Sequence, residues 1–130
     1  MTADTRSLTA SFTVQMAPDA PVPGADGRFT LTKTWTGAVE GSSHGTMLTA
    51  GVPESGSAGY IAAELFEGSL EGRTGTLVLQ QLGTMTVGEP VLHYVIVPGS
   101  GTGELAGTTG TLEIGDIHDD GRHEVRFDLD

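Results

Sequence analysis

The chain has no cysteine, which excludes a disulfide frame, a thiolate nucleophile and a cysteine-ligated metal. It has no apolar run near the roughly 18 residues that a membrane-spanning helix requires. Basic residues are few: 6 Lys and Arg stand against 17 Asp and Glu, a formal charge of −11. Nucleic-acid binding begins with Lys and Arg neutralising phosphates, so that field repels a polyphosphate partner. Anionic membrane surfaces are disfavoured for the same reason. The charge serves solubility. Aromatics are sparse, one Trp, two Tyr and four Phe, which argues against a large stacking pocket. Met1 to Arg6 are polar and lack the apolar core of a secretory signal, so the expected location is the cytoplasm.

Glycine is abundant instead, 20 of 130 residues, against a usual share of roughly 7%. Each glycine inside a helix costs about 1 kcal/mol relative to Ala, whereas bent, often-turning sheets use glycine freely. A chain of this length forms one core, so residues 1–130 are expected to make a single domain.

Alternation of apolar and polar residues marks the strands. Leu8, Ala10, Phe12, Val14 and Met16 give the first, and residues 17–27 (APDAPVPGADG) read as a loop. The second spans Arg28 to Glu40, with Gly41-Ser42-Ser43 as a turn before a third that ends near Ala50. Residues 51–57 break the pattern. A fourth covers Ala58 to Leu70, and Glu71-Gly72 makes a hairpin turn into a fifth, Arg73 to Thr84. The sixth, Val91 to Val97, stops at Pro98. Residues 99–107 (GSGTGELAG) read as a loop with one helical turn. Thr109 to Ile117 and Arg122 to Leu129 complete the set, joined by Asp119-Asp120-Gly121. Eight short strands without a substantial helix predict an all-β, eight-stranded antiparallel barrel, since closure leaves no unpaired edge. Eight strands also leave room for one small ligand.

Three segments carry a family resemblance: residues 32–37 (TKTWTG), 67–83 (EGSLEGRTGTLVLQQLG) and 97–107 (VPGSGTGELAG). With them the chain resembles a bacterial family of small proteins of unknown function, assigned to the allene oxide cyclase-like barrel. Glu64 matches the family pattern. Gln81, Thr46 and Leu65 stand where that family often has His, Glu and Arg, and the pattern does not include His44 or His93. The resemblance implies a cofactor-free cyclase or isomerase acting on a polyketide-like or oxylipin-like molecule. It also implies that the register of Thr30, Thr32 and Thr34 faces the cavity; residues alone are equally satisfied by a solvated threonine face. Phe29, Leu31 and Trp35 would then point outward as an apolar patch, which suggests a homodimer or small oligomer.

Glu64, Gln81 and His93 each interrupt an apolar register. They are candidates for a shared cavity site, with Glu64 and His93 catalytic and Thr30, Thr32, Thr34, Gln81 and His44 binding ligand. Two alternatives stay open: a core network satisfied internally, or a face assigned the wrong way round. For His44, beside a turn, the alternative is a solvated imidazole. Asp116, His118, Asp119, Asp120 and His123 include ligand types for a metal, but Asp-Asp-Gly is what a hairpin turn requires, and no H-x-H or H-E-x-x-H spacing is present. No metal and no cofactor are expected. The glycine-rich residues 99–107 lack the Lys-Ser/Thr of a phosphate loop and read as a crossover closing one barrel end. The two functional readings are a cavity-type cyclase or isomerase for a small apolar molecule, and a binding or structural barrel without catalysis.

Overall fold

A computed structural model describes residues 6–130; Met1 to Thr5 of the polar leading segment lie outside the described residues. Eight strands form one closed antiparallel barrel in sequence order, as the alternation predicts. They are β1 (Arg6–Asp19), β2 (Gly27–Gly37), β3 (Val39–Val52), β4 (Ser57–Leu70), β5 (Arg73–Thr86), β6 (Glu89–Ile96), β7 (Gly110–Ile117) and β8 (His123–Leu129). Among the described residues helix is confined to two three-residue 3-10 turns, Pro53–Ser55 and Gly103–Leu105. Among the described residues no helix is long and apolar enough to cross a membrane.

One turn differs from expectation. Gly41-Ser42-Ser43 lies inside β3, and the chain reverses earlier, at Gly37-Ala38. Gly41 stands opposite Gly68 on β4, and a Cβ on it would meet the Glu67 carbonyl oxygen at 2.2 Å. The two strands are thus bent tightly together where the barrel wall coils, which only glycine permits.

The barrel is closed at one end and open at the other. Residues 99–107 cross the closed end, as their sequence suggests. Leu105 is fully buried there with Val39, Leu70 and Leu77. Thr102 and Ser100 tie this plug to β5: the Thr76 and Val78 amides donate to the Thr102 and Ser100 hydroxyls at 3.1 and 3.0 Å. An aromatic layer follows, in which Trp35 packs against Phe12, Phe66 and Phe127 with ring centres 5.0 to 6.2 Å apart. Each such buried side chain contributes about 1.5–3 kcal/mol of hydrophobic stabilisation. The Trp35 indole N–H donates to Ser43 Oγ at 2.6 Å.

The assignment of β2 faces is overturned. Trp35 is 2% exposed and Leu31 is buried with it, while Thr30, Thr32 and Thr34 face solvent. Burying an indole outweighs burying a hydroxyl, and a strand with period two must turn all its residues together. The subunit interface expected around Trp35 is removed by the same fact.

Candidate functional site

Midway along the barrel, three polar side chains meet in an apolar lumen. Lys33 on β2 donates from Nζ to Glu64 Oε2 at 2.7 Å and to Tyr94 Oη at 3.1 Å. Tyr94 on β6 donates to Glu64 Oε1 at 2.9 Å. The ammonium also stands 4.2 Å from the centre of the Phe12 ring, a favourable cation–π placement. Lys33, Glu64 and Tyr94 are each at most 3% exposed. Burial holds Lys33 below its ordinary value against the opposing pull of Glu64. Burial, reinforced by the Glu64 charge, pushes Tyr94 well above 10.0.

A second polar pair lies one step nearer the open end. Tyr60 on β4 donates to Gln81 Oε1 on β5 at 2.8 Å. Its ring covers Gly83, where a Cβ would sit 2.4 Å from Tyr60 Cε1. Burial and then Glu64 raise the Tyr60 phenol above its ordinary value. Above this pair opens a cavity of about 570 Å³. Its wall is almost wholly apolar, with Met16, Phe29, Met47, Met85, Leu92 and Ile114 around Tyr60. On one side the wall is thin. β6 and β7 are joined only by Val95 opposite Thr111 and Ile96 opposite Gly110, so no ladder closes Glu89–Tyr94 onto β7 at the mouth.

A family model described as a protein of unknown function, DUF3224, matches residues 8–129, nearly the whole barrel. The chain belongs to the DUF3224 family. It is similar to a crystal structure of a DUF3224 protein of unknown function from Shewanella oneidensis MR-1. The two are 40% identical over 98% of this chain and 97% of that one, with a TM-score of 0.87. No curated protein matches the chain.

The DUF3224 barrel keeps two of the residues expected in the lumen, Glu64 and Gln81, both buried and inward. It separates them from the others. His93 is exposed and pairs across the outer face with Leu82, on the opposite side of the wall from Glu64. His44 stands exposed opposite Thr32. Alternation groups His93 with Val91, Val95 and Val97 as an inward face, but β6 carries a second apolar register, Leu92, Tyr94 and Ile96, and the larger side chains go inside. The shared site of Glu64 and His93 is therefore replaced by Glu64 with Lys33 and Tyr94. Lys33 interrupts the apolar run Phe29, Leu31, Trp35, and that interruption is the signal that could have found it. Near the β7–β8 turn, Asp120 Oδ1 accepts from the Arg122 amide at 3.0 Å, and His123 stacks on Phe12. No three His, Asp or Glu side chains among the described residues converge to hold a metal.

Proposed function

We propose that the open end of the barrel binds a small, neutral, mainly apolar molecule whose single polar group meets Tyr60 and Gln81. The observation that carries this reading is the apolar cavity lined at its inner end by Tyr60, whose hydroxyl is held by the buried Gln81 behind it. An apolar wall with a few placed polar groups is the usual build of a small-molecule site. Neutrality follows from the cavity lining, which offers no charged side chain to pair with an ion of either sign, from the charge of −11, which disfavours an anion, and from the Lys33 ammonium being already engaged by Glu64, Tyr94 and the Phe12 ring. A cytoplasmic location suits a chain without cysteine.

The resemblance to allene oxide cyclase-like barrels supports a second reading, a cofactor-free cyclisation or isomerisation of a polyketide-like or oxylipin-like molecule. One observation favours it: a carboxylate, Glu64, lies buried two inward positions below Tyr60 on the same strand, past Ala62. Holding a flexible chain in a reactive conformation lowers a barrier by several kcal/mol with few polar groups.

Native mass spectrometry tests the binding reading after the protein is exposed to a solvent extract of neutral small molecules. Ala62 faces inward between Tyr60 and Glu64, so Ala62→Phe fills the floor. The expected result is an adduct on the wild-type chain that is absent from the variant. A bare wild-type mass, or identical adducts on both, contradicts the proposal. Chromatography of released against offered molecules separates the second reading, which requires an altered isomer.

A further inference from the structure

The outer face of β3–β6 is built unlike the rest of the surface. The register aligns its outward residues in rows: Leu48, Ile61 and Leu82 stand side by side, followed by His93. The next row includes Ala63, Gln80 and Val95, and the one after it Leu65 and Val78. Ile61, Leu65 and Leu82 are 48–50% exposed, and Val91 extends the patch toward the mouth. In a chain with 17 acidic residues, these rows contain no carboxylate. Glu40, Glu67 and Glu89 lie only at their ends.

We infer that this face docks a second copy of the chain. Two copies each carrying −11 repel wherever their carboxylates approach. The outward face of β1 and β2 also lacks carboxylates but is lined by Thr13, Gln15, Thr32 and Thr34, so the β3–β6 face is the one that is both free of them and apolar. Any partner attracted by the protein's charge would be basic and would seek carboxylates, which these rows do not offer. Leu, Ile and Val facing their own kind, with Thr46 and Gln80 as hydroxyl and amide partners, form a self-complementary surface of the sort a two-fold interface requires. Size agrees as well. Strands about 4.8 Å apart and same-face residues about 6.8 Å apart give, with the threonine rim of β2, on the order of 600 Å² in projection. Measured as accessible surface this approaches the roughly 800 Å² per partner of a stable interface. Val91, His93 and Val95 bring no carboxylate to the outward register of β6 because a second molecule covers them.

Sedimentation equilibrium of the full chain tests the inference. The wild type is expected at twice the chain mass. Ile61→Glu with Leu82→Glu should sediment at one chain mass and keep the strand-type circular dichroism. A control with two carboxylates on the far wall, Thr9→Glu with Thr13→Glu on β1, should remain at two chains. A wild type that sediments as one chain at every concentration overturns the inference. So does an assembly that survives the Ile61 and Leu82 changes, or one that the control also dissociates. If the Ile61/Leu82 variant does not fold, Gln80→Lys, a single change at an exposed position, takes its place with the same expected loss of the two-chain mass.

Discussion

Lys33 Nζ and Glu64 Oε2 lie 2.7 Å apart although a whole strand separates β2 from β4. Between them β3 presents only Ser43, opposite Lys33, and Gly45, opposite Glu64. A Cβ at Gly45 would meet the Ala63 carbonyl oxygen at 2.0 Å, so the wall coils tightly there and lets the two side chains reach each other inside the lumen. Both charges are removed from water, and the pair has value through completeness: three hydrogen bonds and an aromatic face leave neither ion short of partners.

Removing one member is expected to cost far more than removing both. Lys33→Met strands a buried carboxylate and should lower stability by about 3–5 kcal/mol. Lys33→Met with Glu64→Leu should recover most of that loss, because no unpaired charge remains. Urea unfolding of the two single variants and the double variant measures the coupling. Additive losses would show that the pair does not act as a unit.

The pH dependence has a worked sign. Both tyrosines of the chain, Tyr60 and Tyr94, are held above 10.0 in the folded state. As pH rises past 10.0 the unfolded chain releases their protons and the folded one keeps them, so stability falls. Lys33 acts oppositely: its folded value lies below 10.5, so its share rises with pH up to 10.5 and is constant beyond. Above 10.5 the tyrosines therefore decide, and stability declines. Ultraviolet titration of tyrosinate should show neither phenol ionising at its ordinary value, and ionisation coinciding with loss of strand signal. A phenol titrating normally in the folded protein would contradict this.

Trp35 reports on the aromatic layer. Ser43→Ala leaves its buried indole N–H without an acceptor and should cost about 1–3 kcal/mol, read by chemical denaturation. The wild-type fluorescence should be blue-shifted and insensitive to an aqueous quencher. Easy quenching would place the indole at the surface and overturn the assignment of β2.

The eight strands and the plugged end could be read from the sequence because they depend on local signals: alternation, Gly and Pro breaks, and a glycine-rich crossover. Glu64 and Gln81 were readable for the same reason, as single polar interruptions of β4 and β5. Facing was not, wherever both registers of a strand were plausible. On β2 a threonine ladder competed with Trp35, and Lys33 disguised the inward register as an outward one. On β6 both registers are apolar, one for the core and one for the outer patch, so alternation placed His93 on the wrong side. The partnership of Lys33 with Glu64 depends on the coil of β3 at Gly45, which no short window of sequence contains.

Gly83 controls the shape of the mouth. Gly83→Ala forces the Tyr60 ring aside, since the new methyl would lie 2.4 Å from it. The Tyr60–Gln81 hydrogen bond is lost, and binding of a neutral ligand should weaken by about tenfold, roughly 1.4 kcal/mol. Stability should also fall, by about 1–3 kcal/mol, because the buried Gln81 oxygen loses its donor. Competition binding with thermal melts separates the two effects, and unchanged affinity would remove Tyr60 from the site.

The central claim, a ligand site in the open end of the barrel, is tested most directly by titrating N-phenyl-1-naphthylamine, a neutral apolar fluorophore. It is added to the wild type, to Ala62→Phe and to Leu82→Glu, each first shown to be folded. The account predicts saturable, one-to-one fluorescence enhancement for the wild type and Leu82→Glu, and its loss in Ala62→Phe. Enhancement that persists in Ala62→Phe but disappears in Leu82→Glu would place binding on the outer wall and contradict the claim.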